Sequence, residues 1–511
     1  MLEKIKNAKI GSILPVYEAI ENIDAEEFFI KLSNYGRDRN SVLIQTEEKS
    51  ICSVNPCLKI TGKNEEFEIK ALSNTGRKFL QFLKGDFKFC DKVEYGKNAI
   101  KGRLKPSRRN VSEDQRLRLK NHADILRAVA FKFKPAMAPF RHYGGLCGML
   151  SYDFIDQFED LPKNMQDLNE PDYEMYFLDS LFVVNHKENK AYIIANALIT
   201  DEKKEKCYNE CLKAIESCKK AISKKNPKIR KYKKKPFQVT ADTPKEELVQ
   251  IANKIKNHIF EGDISQASIS KMIIANYNAE PFDIFRQLKQ ILKADMFYAN
   301  SETGILLGSL NSNLRVSGNE EKAFEATIIG AEKPSSINRD LDNKYEVELK
   351  INSREIAKHT MLIDLARNDM AKVAKAGSRH AGLLYHTEKR PNRQYLFSVV
   401  KGILKQDLDA LHAYSAIMSQ AGIPKMAAAR ILRQYEKTKR GFHNGAVCFL
   451  SPDGDFDSAV AANTIRLKGN KAYLMGEANV SSDSKPESAF QETEDSARKC
   501  VDAIKLAGGL K

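Results

Sequence analysis

At 511 residues the chain is long enough for two or more hydrophobic cores, and its 42% apolar and 29% charged content excludes a wholly disordered polymer. No run of 18 apolar residues occurs and Met1–Ser12 lacks an apolar leader core, so neither a membrane span nor export is expected and the protein reads as cytoplasmic. Net charge is +16, from 83 Lys and Arg against 67 Asp and Glu, but the excess crowds between Lys219 and Lys235, where only Tyr232 and the nearby Phe237 could stack on bases; this predicts a Lys-rich linker rather than a nucleic-acid site.

Three regions follow: 1–226, a basic linker at 227–240, and 241–511. In the first, Ser41–Gln45, Ser50–Val54 and Leu58–Thr61 read as short strands, with Asn55-Pro56 as turn chemistry. Leu178–Val184 and Lys190–Ala197 read as paired strands before a helix over Glu202–Ala221. That helix carries three of the nine cysteines, Cys207, Cys211 and Cys218; with no C-x-x-C pair and no nearby histidine, reduced thiols are expected rather than a metal site.

The last region opens on Asp242-Thr243-Pro244-Lys245-Glu246, which offers an N-cap, a proline at the first turn and a capping-box carboxylate and predicts a helix with an apolar stripe of Leu248, Ile251, Ile255 and Ile259 ended by Gly262. Gly262–Ser270 and Leu306–Ser309 read as strands. From Ile351 to Asp369, Ile356, Met361, Ile363 and Leu365 recur at helical spacing beside Glu355, Lys358, His359 and Asp364. Spacing alone leaves two readings of that helix, a solvated face laced with ion pairs or a site.

The order of residues goes further than their spacing. INSREIAKHTMLIDLARND at 351–369 resembles the E-x-x-E-H-x-M-L-V-D-L-x-R-N-D signature of the chorismate-utilising enzymes, and of anthranilate synthase component I most of all. Gly144-Gly145-Leu146 with Tyr152-Asp153, Gly262-Asp263-Ile264 with Gln266, Asp409-Ala410-Leu411-His412-Ala413-Tyr414, Gly422-Ile423-Pro424-Lys425 and Glu492-Thr493 are similar to further segments of that family. The resemblance implies an α+β fold, a sandwich of large antiparallel β-sheets flanked by helices, with a small-molecule ligand in the cleft between them. It also implies conversion of chorismate and ammonia to anthranilate and pyruvate in tryptophan biosynthesis, magnesium as cofactor, and a separate glutamine amidotransferase subunit as partner.

The same resemblance assigns site residues and shows where they depart. Gln266, His359 and Lys425 match and are catalytic candidates, whereas Tyr395 stands where the family has its catalytic histidine. For magnesium, Glu355 and Glu492 match, but Lys358 and Ala489 replace the other two glutamates, and an ammonium beside a hard dication is unfavourable. In the substrate pocket Ala331 replaces a threonine, His443 a tyrosine, Asn444 a glycine and Asn463 an arginine. Glu477-Ala478-Asn479 stands where Gly-Ala-Gly lets backbone amides approach a carboxylate. The feedback motifs for tryptophan, L-L-E-S and N-P-S-P-Y-M-F, are replaced by Leu43-Ile44-Gln45-Thr46 and a stretch ending Asp295-Met296-Phe297, so tryptophan regulation is not expected. The expectation is a component I-like protein with a remodelled pocket, weak or inactive toward chorismate. Its alternatives are a divergent active synthase, a metal-independent enzyme in which Lys358 supplies the positive charge for a less anionic ligand, and a non-catalytic partner-binding protein.

Overall fold

The computed structural model describes residues 8–510 except 22–23, 107–110, 201–203, 231, 233–235, 319, 391–392 and 419–420. Lys231 and Lys233–Lys235 of the basic linker, and the expected helix start at Glu202, therefore lie outside the described residues. No helix among the described residues is long and apolar enough to cross a membrane, and all nine cysteines are free thiols.

Helices alternate with a large, continuously hydrogen-bonded sheet system whose ladders around the site are antiparallel. Eleven strands position the site: β1 (Ser41–Gln45), β2 (Lys49–Val54), β3 (Gly145–Leu150), β4 (Gln266–Asn276), β5 (Met296–Ser301), β6 (Gly304–Ser317), β7 (Ala323–Pro334), β8 (Arg393–Ile403), β9 (Ala446–Leu450), β10 (Phe456–Lys468) and β11 (Lys471–Ser481). Strands from both sides of the 227–240 stretch share ladders, β1 with β5 and β3 with β9. Long β10 is the seam: it pairs with β6 along its length, with β9 at its start and with β11 at its end. A register shift leaves Gly308 of β6 facing both Asn463 and Thr464, and Asn463 takes up the bulge with φ +46°, a conformation asparagine tolerates better than most residues.

Four helices cover the site strands: α1 (Lys245–Phe260), α2 (Ser353–Val373), α3 (Lys425–Tyr435) and α4 (Ala489–Ala507). The α1 stripe forms as expected, Leu248, Ile251 and Ile255 burying against Ala267, Ile269, Leu432 and Val480. Its cap does not. Pro244 occupies the N-cap without a side-chain bond, because the Asp242 carboxylate instead accepts from the Met272 amide at 3.0 Å and the Thr438 hydroxyl at 2.8 Å. On α2 the buried face is His359, Ile363, Met370 and Val373, while Met361 turns 43% exposed to solvent, so the expected apolar stripe is displaced by part of a turn.

The two halves are also tied by charge. Arg433 of α3, 4% exposed at its side chain, pairs with Asp153 at 2.6 Å and Asp156 at 3.0 Å. Removing one partner of such a buried set leaves uncompensated charge. Arg433→Ala is therefore expected to cost about 3–5 kcal/mol, read as a lower urea midpoint at pH 7.

Candidate functional site

The β4–β11 ladder sets Gln266 opposite Ser481, Ser268 opposite Asn479 and Ser270 opposite Glu477. Directly opposed residues share a face, so Gln266, Glu477 and Asn479 belong to one polar face of this pair. Alternation sends Ala478 to the other side, where it is 3% exposed among Ile269, Leu432 and Val480. Ala478, expected in the substrate pocket, is a core residue.

Between residues 268 and 272 the outer edge of β4 pairs with no strand: its ends are met by backbone, the Ser268 amide donating to the Ala421 carbonyl at 2.8 Å and the Met272 carbonyl accepting from the Asp242 amide at 3.0 Å, and side chains satisfy groups between. Glu436 Oε1 accepts from the Ser270 amide at 2.8 Å and from its hydroxyl at 2.9 Å, and Arg440 Nη2 donates to the Ser268 carbonyl at 2.5 Å. Arg440 and Glu436 close on each other through Nε to Oε2 at 3.1 Å and Nη2 to Oε1 at 2.5 Å, with Arg440 4% exposed and its guanidinium 4.9 Å from the Tyr152 ring centre. The second arm of the fork, Nη1, donates to Glu477 Oε1 at 2.9 Å.

That oxygen collects further polar groups. Asn444 Nδ2 donates to it at 2.7 Å, and His443 Nε2 stands 3.5 Å away without a hydrogen bond of its own, while His443 Nδ1 lies 2.8 Å from Thr464 Oγ1. Asn444 adopts φ +57°, which lets the loop turn both side chains toward β11. Burial alone would raise the Glu477 carboxyl; His443, Arg440 and Asn444 outweigh it and hold the group down at about 2. Arg440 and Glu436 were not expected at the site. Arg440 does open the Arg440-Gly441 segment whose His443 and Asn444 are pocket candidates, but Glu436 signals itself only by opposite charge four residues away.

The other candidates separate. His359 is 1% exposed, with Nε2 2.9 Å from Ser398 Oγ, a hydroxyl that also accepts from the Tyr385 amide at 3.0 Å. Its Nδ1 has no partner and lies against Gly330, where any Cβ would come within 2.4 Å, and burial lowers its pKa. Ala331 follows in β7 at a register shift against β8. Tyr395 and Ser398 have opposite parity along β8, so Tyr395 points away from His359, toward the side of Phe397 and Val399. Burial pushes its phenol up to about 12. Lys425 heads α3, its ammonium held by Asp369 at 2.5 Å and the Met418 carbonyl at 3.1 Å. Asn463 Nδ2 donates to Ser309 Oγ at 3.1 Å.

At the candidate metal positions Glu355 Oε1 pairs with the Lys358 ammonium at 3.1 Å, and Glu492 accepts from Ser488 Oγ at 2.7 Å. Ala489 is 3% exposed in the apolar cluster beneath α1. Among the described residues the one trio of His, Cys or acidic side chains spaced for a shared ion is His258, Glu261 and Asp263 at the end of α1, which includes neither glutamate.

A cavity of about 350 Å³ opens among the strands, lined by Ile44, Thr46, Asp295, Leu310, Phe397 and Val447 among others. Ile44 and Thr46 of one stretch and Asp295 of the other thus line one cavity. Its basic rim groups are already paired, Lys49 and Arg315 each 3.1 Å from Asp457 and His142 2.5 Å from it.

Sheet system, flanking helices and polar face define the class. The chain belongs to the chorismate binding enzyme family, whose model matches residues 93–502. It is 28% identical over 495 residues to anthranilate synthase component 1 of Buchnera aphidicola subsp. Diuraphis noxia, covering 93% of this chain and 94% of that protein. It is 31% identical over 406 residues to anthranilate synthase component 1 of Acetivibrio thermocellus, covering 76% and 81%. The crystal structure of anthranilate synthase component I from Streptococcus pneumoniae superposes with a TM-score of 0.67 at 22% identity, over 89% of this chain and 92% of that one, and bears out the expected mixture of helices and large antiparallel sheets.

Because Glu477 titrates below its ordinary 4.5 in the folded protein, it contributes stability above that value and loses it as pH falls toward about 2. Glu477→Gln is expected to flatten the decline of the urea midpoint between pH 4.5 and 2 relative to the unmodified protein.

Proposed function

We propose that the chain is an anthranilate synthase component I-like protein with a remodelled pocket that turns over chorismate weakly or not at all. One observation carries this reading: the donors that face the polar β4–β11 sheet, Arg440 and Asn444, are already spent on the Glu477 carboxylate. Chorismate carries two carboxylates, and binding them needs free cations or oriented donors. Tyr395, with its phenol pushed up to about 12, is a poor proton shuttle at neutral pH and points away from His359.

Magnesium does not fit the residues present. Two glutamates remain where the family has four, one is neutralised by Lys358 at 3.1 Å, and the other side's missing carboxylate is a buried alanine. A hard dication that prefers several oxygen ligands has too few here. The close Lys358–Glu355 pair favours an ordinary i,i+3 ion pair over a lysine held free for a ligand. The relatives are named component 1, and a glutamine amidotransferase subunit is the proposed partner.

Chorismate consumption followed by chromatography, with ammonium and magnesium and an enzyme-free blank, tests the reading. Consumption at the blank rate is expected; faster, chelator-sensitive consumption would identify a divergent active synthase instead. For the metal, calorimetric titration of the unmodified protein is expected to give no saturable magnesium heat, whereas the Lys358→Glu, Ala489→Glu double variant gains it.

A further inference from the structure

We propose that Glu477 is an internal carboxylate that occupies an anion recess, so that the side chain itself sets the ligand specificity of the β4–β11 face. The inference rests on the remodelled-pocket reading and extends it from a loss of chemistry to a defined occupant.

The recess is built by the loop that follows α3. Arg440 is 4% and His443 8% exposed, and both are turned with Asn444 toward one point over β11, the position filled by Glu477 Oε1. The hydrogen bond from Arg440 Nη1 at 2.9 Å is charge-assisted, and that from Asn444 Nδ2 at 2.7 Å is short and neutral. His443 Nε2 is buried and unbonded at 3.5 Å, a third donor within reach when its ring carries that proton. Such a convergence of donors is the recognition pattern of a free carboxylate. Here it is satisfied from within the chain.

Covalent attachment decides the competition. A carboxylate carried on a strand sits at an effective concentration that a dissolved carboxylate of the same chemistry does not reach, so an external anion finds the donors taken. Charge reinforces this outcome. Arg440 is already neutralised by Glu436, and with Glu477 ionised the cluster carries two carboxylates against one guanidinium unless His443 is protonated. An approaching anion therefore meets both steric occupation and repulsion, and the two can be told apart. Glutamine keeps the shape and an acceptor oxygen but removes the charge, while glycine removes both.

Acetate, which reproduces the Glu477 headgroup, is the probe, with binding followed by saturation-transfer NMR at pH 6.5 on the full chain. The unmodified protein and Glu477→Gln are expected to show no saturable binding, and Glu477→Gly to saturate at least roughly tenfold below the highest acetate concentration used. His443→Ala placed in the Glu477→Gly background is expected to reverse part of that gain. Each variant is checked for the unmodified protein's far-ultraviolet circular dichroism and cooperative melting, and Glu477→Ala substitutes for glycine if the strand is loosened. Equal gains in the glutamine and glycine variants would overturn occupation in favour of repulsion, and folded glycine and alanine variants that bind no acetate would overturn the recess itself. Both outcomes are independent of chorismate turnover by the unmodified protein, which tests the underlying reading separately.

Discussion

The Arg440 guanidinium is the constraint on which the site depends. Strand β4 has partners at its ends, but between residues 268 and 272 its outer edge would expose bare backbone groups, a costly condition inside a folded protein. Arg440 and Glu436 supply the missing donor and acceptor, and Asp242 continues the edge at Met272. A buried fork with fixed geometry can do this where a flexible lysine could not. Once the guanidinium is locked there, the following loop has little freedom, and His443 and Asn444 are delivered over β11.

Placed in that setting, Glu477, His443 and Asn444 become one physical unit. Glu477 alone would put a carboxylate into a largely buried space, and desolvation would raise its pKa. Asn444 and His443 offset that cost with donors, and Arg440 supplies the positive charge. On α2, a similar local pairing sets the Lys358 ammonium 3.1 Å from the Glu355 carboxylate. On α4, Glu492 accepts from the Ser488 hydroxyl at 2.7 Å, and Ala489 is buried in the apolar cluster beneath α1.

Strand β8 presents two chemically different faces. One face carries Leu396, Ser398 and Val400 toward α2, where His359 is bonded to Ser398 and packed on Gly330. The other carries Tyr395, Phe397 and Val399, the last two lining the cavity. Two candidate proton-transfer groups close in sequence-family terms are therefore separated by a layer of backbone. Lys425, likewise, spends its ammonium joining α2 to α3 through Asp369.

Family membership and much of the secondary structure were legible in the chain, because ordered motifs and apolar periodicity are local properties. The stripe of α1, the strands at Ser41–Gln45 and Ser50–Val54 and the turn at Asn55 follow from nearest-neighbour chemistry, whereas the pairing of those two strands is seen only in the structure. Boundaries were less legible: Asp242 has ideal capping chemistry, yet its carboxylate is drawn to β4 and Thr438, residues distant in sequence. The candidate pocket residues could be named one by one from the sequence. Tertiary structure alone decided that Ala478 faces the core, that Tyr395 and His359 lie on opposite sides of one strand, and that Glu477 meets Arg440, His443 and Asn444. Those outcomes depend on strand register and on a loop reaching across more than thirty residues of chain, and neither is encoded in local spacing.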